Sequence, residues 1–317
     1  MNVPLVIVGC TASGKSDLAE ALAEQRGATI MAVDSMQVYR GLDIGTAKPD
    51  AATRARIPHA MIDVADPWES YSAARFAAAA RPILDEHLAA GRPLILIGGT
   101  ILYLRALLEG LFEGPSASPE IRAELEAEAQ RLGVPALHAQ LAVVDPLAAE
   151  RIHPNDLRRI VRALEVQRIT GAPISTLQTQ WNLEHPAVPV FYIGVGRERD
   201  ALNRRINARV RAMLAGGLLE EVKGLVAPGG RGLSKEAASG VGYRQLLDHL
   251  EGRLSLEEAV EQIKIQTRHL AKLQRTWLKR FSGVSWLEAD ENQSGRDLLP
   301  AAEQLLTGLR DPNCRPT

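Results

Sequence analysis

A glycine-rich segment near the N-terminus constrains the fold of this chain more than any other feature. It matches the phosphate-binding pattern G-x-x-x-x-G-K-[ST], with the residues Gly9, Cys10, Thr11, Ala12, Ser13, Gly14, Lys15 and Ser16. Residues 5–8 predict a buried strand and residues 17–26 predict a helix, which is the context that this loop requires. Backbone N–H groups and the helix N-terminus then surround phosphate oxygens. We expect Lys15 to contact a terminal phosphate and the Ser16 hydroxyl to bind Mg²⁺.

Composition and charge favour a globular protein of about two domains. The 317 residues are 46% hydrophobic and 24% charged, which is enough for a substantial core. The net charge is −1, so any nucleic-acid binding must come from local clusters of Lys and Arg. The two cysteines, Cys10 and Cys314, lie at opposite ends of the chain and predict neither a metal site nor a disulfide framework. With no run of about 18 apolar residues, we expect a cytoplasmic protein without a membrane span.

Two further apolar runs predict strands that end beside the phosphate loop. Residues 28–33 precede Asp34, and residues 94–97 precede Gly98, Gly99 and Thr100. Ligands of open parallel sheets bind beyond the carboxyl ends of the strands, so we expect Asp34 and Thr100 to face one cleft. Asp34 suits Mg²⁺ binding or general-base chemistry there, and a helix N-cap is the structural alternative. A further short strand is possible at residues 61–64.

The predicted fold class is α/β, with a phosphate-loop parallel-sheet core, helices on both faces and an all-helical insertion domain. A proline-containing segment beginning at Gly114 precedes a region in which the sequence predicts helices only, and residues 189–195 then predict another strand. The predicted domains are a catalytic core of residues 1–114 and 187–290, an insertion of residues 115–186, and a C-terminal tail of residues 291–317 that frays.

Basic residues form local clusters on three predicted helices. Arg158, Arg159 and Arg162 lie on the first, and Arg205 and Arg209 share one face of the second, which suits either a diphosphate or a solvated face. The longest helical pattern, residues 255–281, contains no acidic residue from Lys264 to Arg280, and steps of three and four place five of its six basic residues on one stripe. The six are Lys264, Arg268, Lys272, Arg275, Lys279 and Arg280. A bound polyanion would neutralise this stripe, and a solvated charged face is the alternative.

These motifs together resemble the bacterial tRNA dimethylallyltransferases, also called isopentenyl-diphosphate:tRNA transferases, from Val6 to about Trp286. The most specific parts besides the phosphate loop are residues 34–39 (DSMQVY) and 43–49 (DIGTAKP), with further matches at residues 57–59, 98–100, 159–165 and 271–277. The resemblance implies transfer of a dimethylallyl group from its diphosphate to N6 of adenosine 37, in tRNAs that read codons beginning with U.

The resemblance also implies roles for individual residues. Asp34 is the general base, Thr11 and Thr100 contact substrate, and dimethylallyl diphosphate occupies the phosphate loop in place of ATP. Mg²⁺ at Ser16, together with Lys15, Arg205 and Arg209, stabilises the departing diphosphate. The implied partner of this monomeric enzyme is the tRNA anticodon stem-loop, and the implied contacts are Asp34, Ser35, Met36, Gln37, Thr100, Arg122, Arg158, Arg159, Ile160, Val161, Arg162, Gly240, Val241, Gly242, Tyr243, Arg244, Lys272, Gln274, Arg275, Trp277 and Lys279.

The chain departs from the family pattern at three positions, and three other functions stay open. Cys10 replaces a commoner proline, Ile101 a small or flexible residue, and Leu273 an arginine, which removes one charge from the tRNA-facing helix.

An enzyme that prenylates free adenine nucleotides is one alternative function, and it would need neither the insertion nor the basic helix. A small-molecule kinase would leave that helix unused, and a non-enzymatic RNA-binding NTPase switch would bind nucleotide without prenyl transfer.

Overall fold

The structure is a computed structural model that describes residues 3–110, 114–115, 117–177, 188–227, 229–279 and 281–308. The chain divides into two compact units, of which the first comprises residues 1–108 and 183–317 and the second residues 109–182. The predicted boundary at residues 186–187, and the residues Arg280 and Cys314, lie partly or wholly outside the described residues.

The first unit is built on a six-stranded parallel sheet. Its strands are β1 (Leu5–Gly9), β2 (Thr29–Ala32), β3 (His59–Ala60), β4 (Leu94–Ile97), β5 (Phe191–Arg197) and β6 (Val284–Ala289), in the spatial order β3-β2-β4-β1-β5-β6. The central strand β1 is buried along its whole length between β4 and β5. The loop after β1 therefore emerges at the middle of the sheet edge where parallel folds bind their ligands.

Helices connect the strands and make up the second unit. In chain order they are α1 (Lys15–Arg26), α2 (Ala51–Arg56), α3 (Ala73–Ala89), α4 (Ile101–Leu108), α5 (Pro119–Leu132), α6 (Val134–Val144), α7 (Pro146–Arg151), α8 (Leu157–Thr170), α9 (Ile174–Leu177), α10 (Arg199–Ala215), α11 (Leu218–Leu225), α12 (Lys235–Ala238), α13 (Tyr243–Leu250), α14 (Leu256–Leu278) and α15 (Leu299–Gly308). Among the described residues, no helix has the length and apolar character needed to cross a bilayer.

Alternate residues of β1 point into two different hydrophobic cores. Val6 and Val8 pack in the core that contains residues of α3, α4, α13 and α14, whereas Leu5 and Ile7 pack with residues of α1 and α15. This alternation is the period of two that strands impose on their side chains. It places helices on both faces of the sheet, so the predicted fold class is confirmed.

The second unit is all-helical in its described residues and has its own core, formed by α5 to α9. Glu165 lies inside it with a fully buried side chain, and its carboxylate accepts hydrogen bonds from Arg122 at 2.8 and 3.0 Å and from Arg162 at 2.5 Å. Burial alone would raise the pKa of Glu165, but these two guanidinium groups and the Ser118 N–H hold the pKa below its ordinary value.

The expectation that the chain frays beyond Asp290 is wrong for residues 291–308. A 3₁₀ turn (Arg296–Leu298) and α15 pack along α1, and Leu298, Ala302 and Leu306 are buried in the same core as α1. These three residues are four apart, so they lie on one face. Burial of that face stabilises the segment although residues 291–297 are polar. The strand β6 was likewise not predicted.

The possible strand at residues 61–64 is also wrong. Only His59 and Ala60 form the edge strand β3, and Met61 and Asp63 adopt the left-handed region with φ of +64° and +57°. A strand requires extended backbone, so these two residues end the pairing and begin a turn.

Candidate active site

The phosphate loop makes a tight turn between β1 and α1. Ser13 N–H donates to Cys10 C=O at 3.2 Å, and Ala12 and Gly14 adopt the left-handed region with φ of +62° and +101°. Gly14 takes this conformation freely because it has no Cβ, whereas Ala12 carries a cost of about 1–2 kcal/mol. The turn ends at Gly14, the N-cap of α1, so the partial positive charge of the helix lies at the loop.

A cavity of about 380 Å³ adjoins this loop and carries excess positive charge. It is lined by Ala12, Gly14, Lys15, Ser16, Asp17, Arg205, Ala208, Arg209 and Ala212. Helix α10 supplies both arginines, and Arg205 Nε donates to Ala12 C=O of the loop at 3.0 Å. The two arginines therefore lie on the loop rather than on a face turned wholly to solvent. A cavity with three cationic side chains and one carboxylate suits a small, multiply charged anion.

Burial and mutual repulsion shift the pKa values of these cations. Burial, and then the charge of Arg209, lower the pKa of Lys15 to about 8, although the carboxylate of Asp34 acts in the opposite direction. Burial also lowers the pKa of Arg209, and Asp34 and Asp17 oppose that shift. An anion in the cavity would reverse both shifts, because opposite charge favours the protonated form.

Asp34, just beyond β2, uses its two carboxylate oxygens differently. Oδ1 accepts from Met36 N–H at 2.8 Å and Gln37 N–H at 3.3 Å, while Oδ2 accepts no hydrogen bond from the described residues. Oδ1 therefore stabilises a turn, so Asp34 does have a structural role of the kind that the sequence left open. The same bonds fix the orientation of Oδ2, so a structural role for Oδ1 is compatible with base chemistry at Oδ2.

Thr100 and Gln274 connect the loops of the site. Thr100 Oγ1 accepts from Ser35 N–H at 3.1 Å, which joins the end of β4 to the end of β2. Gln274 on α14 is buried, accepts from Thr11 N–H at 2.8 Å and donates to Gly99 C=O at 3.2 Å. A Cβ at Gly99 would lie only 2.2 Å from Gln274 Nε2, so a larger residue there would displace the Gln274 amide from these two bonds. Gln274 thus positions the phosphate loop, a role that its prediction as a tRNA contact did not include.

The segment 43–49 is held by a carboxylate that the sequence analysis missed. Glu221 on α11 accepts hydrogen bonds from the backbone N–H groups of Asp43 at 3.0 Å, Ile44 at 2.6 Å and Gly45 at 3.3 Å. Gln37 Nε2 donates to Thr46 C=O of the same segment at 3.1 Å. The segment therefore supports Gln37, one of the predicted tRNA contacts. No motif marks Glu221, because α11 reads as an ordinary amphipathic helix.

The predicted tRNA contacts of the second unit divide into exposed and buried residues. Arg158 and Arg159 are exposed, whereas Ile160 and Val161 are 0% and 4% exposed and pack inside the helical core. The side chains of Ile160 and Val161 therefore offer no surface to a ligand. Arg122 and Arg162 are half-buried in their ion pairs with Glu165 and keep part of their surface exposed.

In the first unit, one group of the predicted tRNA contacts lies at residues 35–37 and 240–244, and a second group lies along α14. Ser35, Met36, Gln37 and Val241 are partly buried, Gly240, Gly242 and Tyr243 are buried, and Arg244 is exposed. Lys272 and Lys279 are exposed, and Arg275 and Trp277 are half-buried. The exposed cations of α14 therefore remain available to a polyanion, while Tyr243 belongs to the core.

The three departures from the family pattern lie in different environments. Cys10 is buried, its Sγ donates to Ala271 C=O at 3.4 Å, and burial raises the pKa of its thiol. Ile101 is buried in the sheet core, and Leu273 is 46% exposed on α14. Leu273 is the departure that changes the surface, and Cys10 changes the packing behind the phosphate loop.

The parallel sheet, its glycine-rich loop and the cationic cavity place this chain among the phosphate-loop α/β proteins. A family model described as IPP transferase matches residues 37–281, most of the chain. The chain belongs to the IPP transferase family, and the predicted family is confirmed.

Several relatives and solved structures are similar to this chain over most of its length. A tRNA dimethylallyltransferase 2 of Hahella chejuensis is 42% identical over 98% of this chain and 97% of that protein. A tRNA dimethylallyltransferase of Bordetella petrii is 49% identical over 87% of this chain and 89% of its own. The full-length tRNA isopentenylpyrophosphate transferase of Bacillus halodurans has a TM-score of 0.69 at 37% identity, covering 97% of this chain and 96% of that one. A eukaryotic dimethylallyltransferase acting on tRNA has a TM-score of 0.78 at 26% identity, covering 98% and 78%.

Proposed function

We propose that this chain transfers a dimethylallyl group from dimethylallyl diphosphate to N6 of adenosine 37 in the anticodon stem-loop of tRNA. The observation that carries the proposal is the position of Asp34, which follows β2 at the same edge of the parallel sheet where the phosphate loop follows β1. Its charge acts on both Lys15 and Arg209. A base beside a diphosphate-sized cationic cavity is what this substitution needs. The names of the full-length relatives support the choice of substrates.

The chemistry follows from the weak nucleophilicity of an exocyclic adenine amine, whose lone pair is delocalised into the ring. As N6 bonds to C1 of the dimethylallyl group, the bond from C1 to the diphosphate oxygen breaks and its electron pair leaves with the diphosphate. The proton that N6 loses passes to Asp34 Oδ2, which accepts no hydrogen bond from the described residues. Oδ1 stays committed to the turn and keeps the base oriented.

The cavity stabilises the negative charge that develops on the leaving diphosphate. Lys15, Arg205 and Arg209 line it. Lys15 and Arg205 are already held by hydrogen bonds to the carbonyls of Cys10 and Ala12, and such preorganisation makes electrostatic stabilisation effective. No group of three or more His, Cys, Asp or Glu side chains in the described parts is placed to hold a metal. The Ser16 hydroxyl lines the cavity, and with diphosphate oxygens it fits Mg²⁺, which would supply further charge neutralisation.

The tRNA surface that we propose consists of the exposed predicted contacts. These are Arg158, Arg159, Arg244, Lys272 and Lys279, with Arg122, Arg162, Arg275 and Trp277 as partly exposed additions. Ser35, Met36 and Gln37 would line the pocket for the base, which must leave the anticodon-loop stack to reach Asp34. We further propose that the protein acts as a monomer in the cytoplasm, where this tRNA substrate is found.

A transfer assay tests the proposal directly. Purified protein is mixed with Mg²⁺, radiolabelled dimethylallyl diphosphate and either an anticodon stem-loop containing adenosine 37 or free AMP, and a stem-loop with guanosine at that position is the matched control. We expect label on the adenosine stem-loop only. Label on AMP would instead indicate a nucleotide prenyltransferase, and ATP hydrolysis without any prenyl transfer would favour the kinase or switch.

A further inference from the structure

Arg197 at the end of β5 contacts the phosphate loop at Ser13, outside the lining of the cationic cavity. It is 8% exposed, and its Nε and Nη2 donate to Ser13 C=O at 3.4 and 3.3 Å. The same guanidinium donates to backbone carbonyls of the segment after β6, namely Asp290, Glu291 at 3.0 Å and Gln293 at 2.7 Å. Arg197 does not line the 380 Å³ cavity, so it acts on an anion there through the loop and through the long-range effect of its charge.

The orientation of one peptide explains how that effect arises. The peptide between Ser13 and Gly14 is planar and trans, so its carbonyl and its N–H point in opposite directions. With the Ser13 carbonyl held by Arg197, the Gly14 N–H points away from Arg197, and Gly14 lines the cavity. Arg205 holds the preceding carbonyl, that of Ala12, at 3.0 Å. Two arginines therefore fix two consecutive peptides of the loop.

Gly295 contacts the same turn from the C-terminal segment. A Cβ added at Gly295 would lie 1.8 Å from Gly14 O and 2.9 Å from Leu18 N, although its own φ of −64° suits any residue. Gly295 N–H also donates to Asp17 Oδ2 at 3.3 Å. The segment therefore packs directly on the last turn of the loop and the first turn of α1, with no space for a methyl group.

We propose that Arg197 and the segment 290–295 are positioning elements of the diphosphate site, which hold the Ser13–Gly14 peptide with its N–H toward the anion. The term "diphosphate" rests on the proposed function, and the structural part of the proposal concerns only the loop and its anion. The alternative is that these contacts merely attach the C-terminal segment to the core. A positioning role predicts that the variants lose anion affinity even where stability is unchanged, whereas mere attachment predicts no such loss.

The experiment measures binding of inorganic pyrophosphate with Mg²⁺ by calorimetry, beside the melting temperature and the KM values for both substrates. The variants are Gly295→Ala, Arg197→Met and Arg197→Lys. The controls are Gly224→Ala, whose Cβ would meet nothing within 4 Å, and Arg211→Met, an exposed arginine on α10. Pyrophosphate binding needs no prenyl transfer, so this arm tests the proposal even if the proposed function fails.

We expect Gly295→Ala and Arg197→Met to weaken pyrophosphate binding about tenfold and to raise KM for dimethylallyl diphosphate by a similar factor. The KM for the stem-loop should change less than about twofold, and Arg197→Lys should recover part of the loss because it keeps one donor to Ser13. Folded variants that bind pyrophosphate within about twofold of the parent would overturn the proposal, as would an equal loss for both substrates. If Arg197→Met does not fold, Gly295→Ala and Arg197→Lys decide.

Discussion

The hydroxyl of Tyr243 lies 2.6 Å from Oε1 of Glu221, and this pair joins the helices α11 and α13 beneath the segment 43–49. Burial, and then the bond to Glu221, raise the pKa of Tyr243 far above its ordinary value, so the phenol stays a donor throughout the working pH range. The carboxylate can then accept three backbone N–H groups as well. A partly buried charge at this position is stabilised by the four donors that surround it.

The first prediction concerns this pair. Tyr243→Phe removes one donor and should lower the free energy of unfolding by about 1–2 kcal/mol with little effect on kcat. Glu221→Gln replaces the charged acceptor of Asp43, Ile44 and Gly45, so it should raise KM for the stem-loop as Gln37 loses its support. Chemical denaturation and steady-state kinetics measure the two effects. An unchanged KM for the stem-loop in a folded Glu221→Gln protein would separate the segment 43–49 from tRNA binding.

The second prediction separates the two oxygens of Asp34. Asp34→Asn keeps an acceptor for Met36 and Gln37 N–H but removes the base, so kcat should fall by about 10²–10⁴ with the stem-loop affinity retained. Asp34→Ala removes both functions and should also reduce stability. Single-turnover transfer and stem-loop binding by fluorescence anisotropy measure these quantities. An Asn variant with more than about a tenth of the parent kcat would exclude the base role.

The third prediction uses the pKa of Lys15. The free amine is a cation below its pKa of about 8 and neutral above it, so pyrophosphate affinity should weaken as the pH rises through that value. The greatest slope expected from one proton is about tenfold per pH unit. Calorimetry from pH 6.5 to 9.5 measures it. Lys15→Met is the control, because any slope that remains in this variant belongs to the ligand or to other groups.

The fourth prediction concerns Glu165 in the helical unit. Its folded pKa is depressed, so its contribution to stability is complete above the unfolded value near 4.5 and is lost as the pH falls through the lower folded value. Glu165→Gln should cost about 3 kcal/mol at neutral pH, since Arg122 and Arg162 lose their charged partner. Hydrogen exchange of residues 117–177 locates the loss. Glu126→Gln, at an exposed position of α5, is the matched control.

The fifth prediction tests the basic stripe of α14. Lys272→Ala with Lys279→Ala should weaken stem-loop binding and reduce the salt slope by about 1–2, one counterion for each lost phosphate contact. Both lysine side chains are exposed. The control is Lys223→Ala, at an exposed position of α11. Binding between 50 and 300 mM salt gives the slope. The same slope in the double variant and the parent would remove these residues from the tRNA surface.

The sequence predicted those parts of the site that local patterns encode. The phosphate loop follows from its own motif, and Asp34 and Thr100 follow from their places after strands 28–33 and 94–97, because parallel strands bring their carboxyl ends together. The structure places Lys15, Ser16, Arg205 and Arg209 around one cavity, whereas the spacing of the two arginines had left a solvated face equally open.

Long-range contacts account for what the sequence did not predict. No motif marks Arg197 or Glu221, because their partners are distant in sequence. The backbone carbonyls bound by Arg197 are 93 to 184 residues away, and the Asp43 N–H bound by Glu221 is 178 residues away. Gln274 was assigned to tRNA because it lies within a basic stripe, and only the path of α14 past Thr11 and Gly99 shows that it is buried. The helix α15 was not predicted because the polar residues 291–297 that precede it suggested a polar tail, although residues 298–306 include several Leu and Ala.

The contact between Gly14 and Gly295 has a consequence for the order in which the protein is completed during translation. The phosphate loop leaves the ribosome well before the strand β6 and the segment 290–295, which supports the loop from outside. Contacts of such long sequence separation form late in folding. A nascent chain arrested before residue 290 should therefore hold an unfinished loop, and full affinity for the anionic substrate should arise only after residue 295 has emerged.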